Sequence, residues 1–160
     1  MKHSFNMKQI LTISFLFVVF AVQSQDENHL NLDGGLALDG YDPVAYFTEG
    51  KAIPGNKQFR VQSGRAVYYF SSAKNKELFS QNPEKFKPEY GGWCAYAMGA
   101  KGEKVPIDPE TFKIVNGKLY LFYNRFFNNT LIKWNEDEKN LLPKADANWI
   151  KIIRDKQAKK

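Results

Sequence analysis

Apolar and polar positions first alternate in "KQFRVQSGRAVYYF", residues 57–70. Phe59 and Val61 point one way, Ser63-Gly64 supplies a turn, and Ala66 to Phe70 returns. This period of two predicts a β-hairpin. A stronger hairpin is written in "TFKIVNGKLYLFYN", where two apolar strands meet at Asn116-Gly117, the pair favoured by type I′ turns. Leu119 to Tyr123 is apolar at every position, so its strand is expected to be central and covered on both faces. Between the hairpins the period lengthens. Ser72 can cap a helix whose apolar face is Leu78 and Phe79, and Pro83 closes it and opens a further turn, "PEKF". Gly91-Gly92 breaks the chain before Trp93 to Ala100, which reads as a short helix or a tightly packed turn.

The last third has helical spacing. Phe127, Leu131, Trp134, Leu141 and Leu142 form one stripe, Pro143 interrupts it, and Ala145, Trp149, Ile150 and Ile153 form a second. The order of elements implies an α+β fold: a small antiparallel sheet from hairpins around residues 58–70 and 112–123, packed with helices, with a C-terminal helical segment.

The N-terminus changes the picture of where this domain works. Lys2 and Lys8 precede an apolar run from Ile10 to Val22, and Val22 and Ser24 are the small residues before a cut at Gln25. This predicts a signal peptide over residues 1–24 and an exported protein, periplasmic or secreted. The run is shorter than the roughly 20 residues that cross a bilayer, so no membrane span is expected after cleavage. A flexible polar arm is expected over 25–35, one domain over 36–155 and a frayed basic tail over 156–160. The net charge of +6 is not gathered into an arginine-rich run interleaved with aromatics, which argues against nucleic acid as a partner. With one cysteine the chain can form no internal disulfide, and its stability must come from an apolar core.

The same poverty limits metal chemistry. His29 and Cys94 are the only histidine and cysteine after residue 24, so no zinc site is expected. A soft copper site would have only Cys94 and Met98, four residues apart on one helical face. Asp39, Asp42 and Asp108 read as turn and cap residues, and the run Glu136 to Glu138 as a solvated face. Cys94 remains. In the first turn of a helix after Gly91-Gly92 it would meet unpaired backbone N–H groups. Tyr90, Gly91, Gly92, Trp93, Tyr96 and Lys101 are the candidate pocket residues around it. The plainer reading is a small hydrophobe packed among Ala95, Ala97, Gly99 and Ala100.

Taken together, "DGYDPVAYF", "YYFSSAKNKELFSQNPEKF", "YGGWCAYAMGAKG", "GKLYLFYN" and "ADANW" resemble the exported bacterial proteins built on a YHS domain, from about Leu36 to Trp149. YHS domains elsewhere are small metal-binding modules, with thiolates after "DPV" and after the "YYF" strand. This chain has Ala45 at the first position and Ser71, Ser72, Ala73, Lys74 and Asn75 at the second. The resemblance therefore implies the family's shape without that metal site. In the exported branch some relatives carry selenocysteine at the place of Cys94, which implies a chemically used thiol or a soft-metal ligand. No second cysteine is present to resolve a disulfide. Three readings follow. One is a binding module for a soft metal ion such as copper or a small ligand near Cys94. Another is a one-cysteine redox enzyme served by an external thiol. The last is a non-catalytic envelope interaction protein with Cys94 structural.

Overall fold

The computed structural model describes residues 29–155; the predicted signal peptide and the tail at 156–160 lie outside them. In chain order the elements are β1 Leu32–Asp33, β2 Leu36–Ala37, α1 Ala45–Thr48, β3 Asn56–Ser63, β4 Ala66–Phe70, α2 Ala73–Gln81, α3 Pro83–Phe86 and α4 Ala95–Lys101. Then come β5 Asp108–Val115, β6 Lys118–Phe122, β7 Asn124–Arg125, β8 Asn128–Asn129 and α5 Thr130–Arg154. The fold is α+β, as expected. One sheet has the strand order β1-β2-β4-β3, and β5–β6 and β7–β8 are separate two-stranded ribbons. All pairings are antiparallel except β2 with β4, which run parallel through Leu36 and Val67.

Local chemistry explains the elements that the sequence foretold. Ser72 caps α2 by accepting the Asn75 N–H at 3.1 Å, and Pro83 starts α3. Asn116 and Gly117 turn with φ of 52° and 73°, the left-handed pair of a type I′ hairpin. Strand β6 divides the core. Leu119 and Leu121 belong to a cluster with Phe70, Phe79 and Cys94, while Tyr120 and Phe122 belong to one with Trp134, Met98 and Leu141. Successive side chains of a strand point to opposite faces, so an unbroken apolar run serves two cores. Beyond β5, the other edge of β6 bridges Pro88 and Cys94 in parallel, through Leu119 and Leu121.

Helix α5 corrects three expectations. Its kink falls at Asp137 (φ −143°), while Pro143 sits inside the helix. Trp134, Leu141 and Ala145 are buried on both sides of the break, and this burial offsets the hydrogen bond that proline cannot donate. The helix also starts only at Thr130, so Phe127 is not part of its stripe. Phe127 lies instead in the turn between β7 and β8, fully in solvent. Ile150, placed in the second stripe, is 43% exposed, and Ile152 packs there.

Helix α4 lies against α5 with no room for a side chain at Gly99, where an added Cβ would stand 2.7 Å from the Leu141 carbonyl oxygen. Gly99→Ala is expected to lower the unfolding free energy by about 2 kcal/mol despite the better helix propensity of alanine. A urea titration checks this, and an unchanged midpoint would contradict the close contact.

Asp42 is 0% exposed and gathers distant segments. Its Oδ1 accepts the N–H groups of Val44 at 2.8 Å and Ala45 at 3.3 Å, at the start of α1. Its Oδ2 accepts the Ser71 N–H at 2.8 Å, the Ser71 hydroxyl at 2.7 Å and the Asn75 side-chain amide at 2.7 Å. Ala45 and Ser71 to Asn75, the stretches where the resemblance looks for thiolates, thus meet at a carboxylate.

Candidate functional site

Cys94 precedes α4 with non-helical backbone angles (φ −59°, ψ 116°), so it lies outside the helical face it was expected to share with Met98. Its N–H donates to Val105 O at 3.0 Å and its carbonyl accepts the Met98 N–H at 3.0 Å. The side chain meets the end of β6 and the start of α5. The Tyr123 N–H donates to Sγ at 3.4 Å, and Thr130 Oγ1 lies 3.5 Å from it. The Thr130 hydroxyl donates to Tyr123 O at 2.8 Å, so the Cys94 S–H is the donor in the contact with Oγ1. Tyr123 O also accepts the Thr130 N–H at 2.9 Å. The hydroxyl can therefore turn toward the sulfur without leaving that carbonyl unpaired.

A cleft of about 360 Å³ opens beside Cys94. Tyr96, Ala97, Val105 and Tyr123 give it apolar walls, and Lys101, Glu103, Asn128 and Thr130 give it polar groups. Cys94 lines the cleft while being 0% exposed, so a molecule that reaches the thiol does so through the cleft.

The expected pocket residues divide between two places. Tyr96 and Lys101 line the Cys94 cleft, whereas Tyr90, Gly91 and Gly92 line a second cavity of about 170 Å³ with Asn31, Lys87 and Trp149. Trp93 lines neither; its indole N–H donates to His29 O at 2.6 Å. His29, expected on a solvated arm, is 5% exposed, with Nδ1 2.8 Å from Lys104 Nζ. Asn31 continues the strap, its N–H on Gly91 O at 2.8 Å and its side-chain amide on Gly92 O at 3.1 Å. Thus the double glycine receives the N-terminal segment. Met98 is 0% exposed, packs with Trp134 and Leu141, and does not reach the cleft.

Val105, Tyr123, Asn128 and Thr130 were not foreseen at the site. Tyr123 and Thr130 stand 29 and 36 residues from Cys94, and no spacing rule connects them. Among the described residues no group of three or more His, Cys, Asp and Glu is placed to hold a metal ion, and no helix is long and apolar enough to cross a membrane. Comparison with known proteins finds no matching family model, no matching curated protein and no matching solved structure.

Proposed function

We propose that this chain is an exported, YHS-like binding module that takes a small ligand in the cleft beside Cys94. The observation that carries the proposal is that Cys94, the chain's one cysteine, lines a cleft of about 360 Å³, within the range of about 300–1,000 Å³ typical of ligand sites. Aromatic and aliphatic walls supply contact area, and Lys101, Glu103 and Asn128 supply orientation. The thiol selects a ligand with a soft or electrophilic centre.

Amide NMR with a set of small fragments tests this reading. Shifts are expected to cluster at Tyr96, Ala97, Val105, Tyr123 and Thr130, and methylthiolation of Cys94 is expected to abolish them. Fragments that bind only elsewhere, or that ignore the methylthio group, would contradict the proposal. Cu(I) probes the soft-metal version: a melting-temperature rise that Cys94→Ser abolishes supports it, and an equal rise in the variant removes it.

A second reading, thiol redox catalysis, is favoured by the polar groups held on the sulfur. The Cys94 thiolate attacks one sulfur of a small disulfide, forming a mixed disulfide and expelling the other sulfur as thiolate. An external low-molecular-weight thiolate then attacks the half that came from the substrate, freeing Cys94 and leaving a new disulfide. Catalysed exchange that is lost in Cys94→Ser supports this version, and exchange no faster than the uncatalysed reaction ends it.

A further inference from the structure

The connection between β7 and β8 spends two of the largest apolar side chains on a solvent-facing tip. Phe126 and Phe127 are 89% and 111% exposed, and both have positive φ, 51° and 62°. That conformation suits Asn-Gly, and the chain uses Asn116-Gly117 for the same kind of turn in the preceding hairpin. Phenylalanine at both positions therefore adds backbone strain to apolar exposure, a coincidence that marks functional sites.

We propose that this tip is a membrane-docking element that inserts both rings into the interface of a lipid bilayer. Four features favour lipid. The tip is convex, and a fluid interface accepts a convex probe without a matching pocket. Two aromatic side chains bury about 150–250 Å² each, well below the roughly 800 Å² per partner of a stable protein interface. The backbone behind the rings is already paired, Arg125 with Asn128 and Asn124 with Asn129, as insertion into lipid demands. Those four residues also form a polar collar that sets the depth at the headgroups.

Charge adds to the fit. Asn124 to Asn135 contains Arg125 and Lys133 and no acid. Lys133 Nζ sits 2.8 Å from Asn128 Oδ1, directly behind the tip. Asp39 faces Arg125, and Glu103 lines the same cleft as Asn128, so the attraction to anionic headgroups is moderate and the rings supply the larger part. Binding of this kind is peripheral and reversible. Because Tyr123, Asn128 and Thr130 line the Cys94 cleft, a docked tip brings the cleft close to the bilayer surface.

The test uses the full chain and vesicles of phosphatidylcholine with phosphatidylglycerol. Phe126→Asn with Phe127→Gly installs the turn pair that the fold already uses, so the variant should remain folded. Where the tip carries the binding, partitioning onto vesicles is expected to fall on the order of 100-fold. Because the apolar run from Ile10 to Val22 is common to both chains and can itself bind lipid, a tip-specific readout completes the test. In Phe127→Trp, emission from the new indole is expected to be quenched by acyl-brominated lipids. Unquenched tip emission overturns the proposal. So does a pair of chains that differ in concentration-dependent mass but not in lipid contact, which would assign the tip to a protein interface.

Discussion

Replacing Asp42 with alanine is expected to cost about 3–5 kcal/mol of stability, a large share of the 5–15 kcal/mol typical of a domain. Both carboxylate oxygens are fully engaged, one by the N–H groups that open α1 and the other by Ser71 and Asn75. Truncation leaves these donors buried and unpaired, which costs more than a hydrogen bond is worth when both partners are present. Asp42→Asn should also destabilise, by about 2 kcal/mol, because its NH₂ group must face donors on one side. Ser71→Ala removes one donor and keeps the backbone bond, so about 1 kcal/mol is expected. Urea titrations of the three variants give the ranking. A loss below 1 kcal/mol for Asp42→Ala, at an unchanged slope, would show that the carboxylate does not tie these segments together.

The second large effect is alkaline unfolding. Tyr46, Tyr90 and Tyr120 are all at most 3% exposed. Burial is the main cause of the upward shift of each phenol, and neighbouring acids and hydrogen bonds add to it. Tyr90 donates to Asp146 Oδ1 at 2.8 Å, and Tyr46 donates to Pro109 O at 2.8 Å. Tyr120, with Glu89, Asp146 and Glu138 as the nearby acids, is pushed up to about 12. In the unfolded chain these phenols lose their protons near pH 10.

Folded tyrosines thus hold protons that unfolded ones release. Their contribution is complete below about pH 10 and disappears as the pH climbs toward the folded values. Tyr46 and Tyr90 together should cost about 3 kcal/mol of stability per pH unit above 10, with a smaller share from Tyr120. Phenolate absorbance is expected to show Tyr46, Tyr90 and Tyr120 ionising only with a cooperative loss of ellipticity above pH 10. A single smooth titration of all eight tyrosines with ellipticity retained would contradict this.

The parts of the fold that were legible in the sequence are those set by neighbours along the chain. Asn116-Gly117 and the Ser72 cap each state a local requirement that is met, and the apolar run of β6 is covered on both faces as expected. The strand is not central, however: it pairs with β5 alone and its other edge carries only the bridges to Pro88 and Cys94. What stayed hidden was long-range or ambiguous by composition. Asp42 shows its capping role to the eye, but its bonds to Ser71 and Asn75 cross 29 and 33 residues. Phe127 fits a helical stripe as well as any aromatic does, and only the turn geometry reveals that it faces solvent. Pro143 was expected to end a helix, yet buried residues on both sides hold α5 together around it.

At the site, Cys94 was legible as the one candidate thiol, and Tyr96 and Lys101 as its surroundings. The double glycine misled because its strained turn serves the N-terminal strap: Tyr90 and Gly91 have φ of 54° and 62°, and Gly91 and Gly92 carbonyls receive Asn31. The copper pair of Cys94 and Met98 assumed a helix that begins one residue earlier than it does.

The measurement that bears most directly on the Cys94 cleft is thiol labelling of the folded chain with reagents of increasing size, compared with the rate of global unfolding. Methyl methanethiosulfonate is expected to modify Cys94 much faster than the chain unfolds, while a dye-sized maleimide too large for a cleft of about 360 Å³ waits for unfolding. If both reagents react only at the unfolding rate, the sulfur is sealed in the core and the cleft does not serve it.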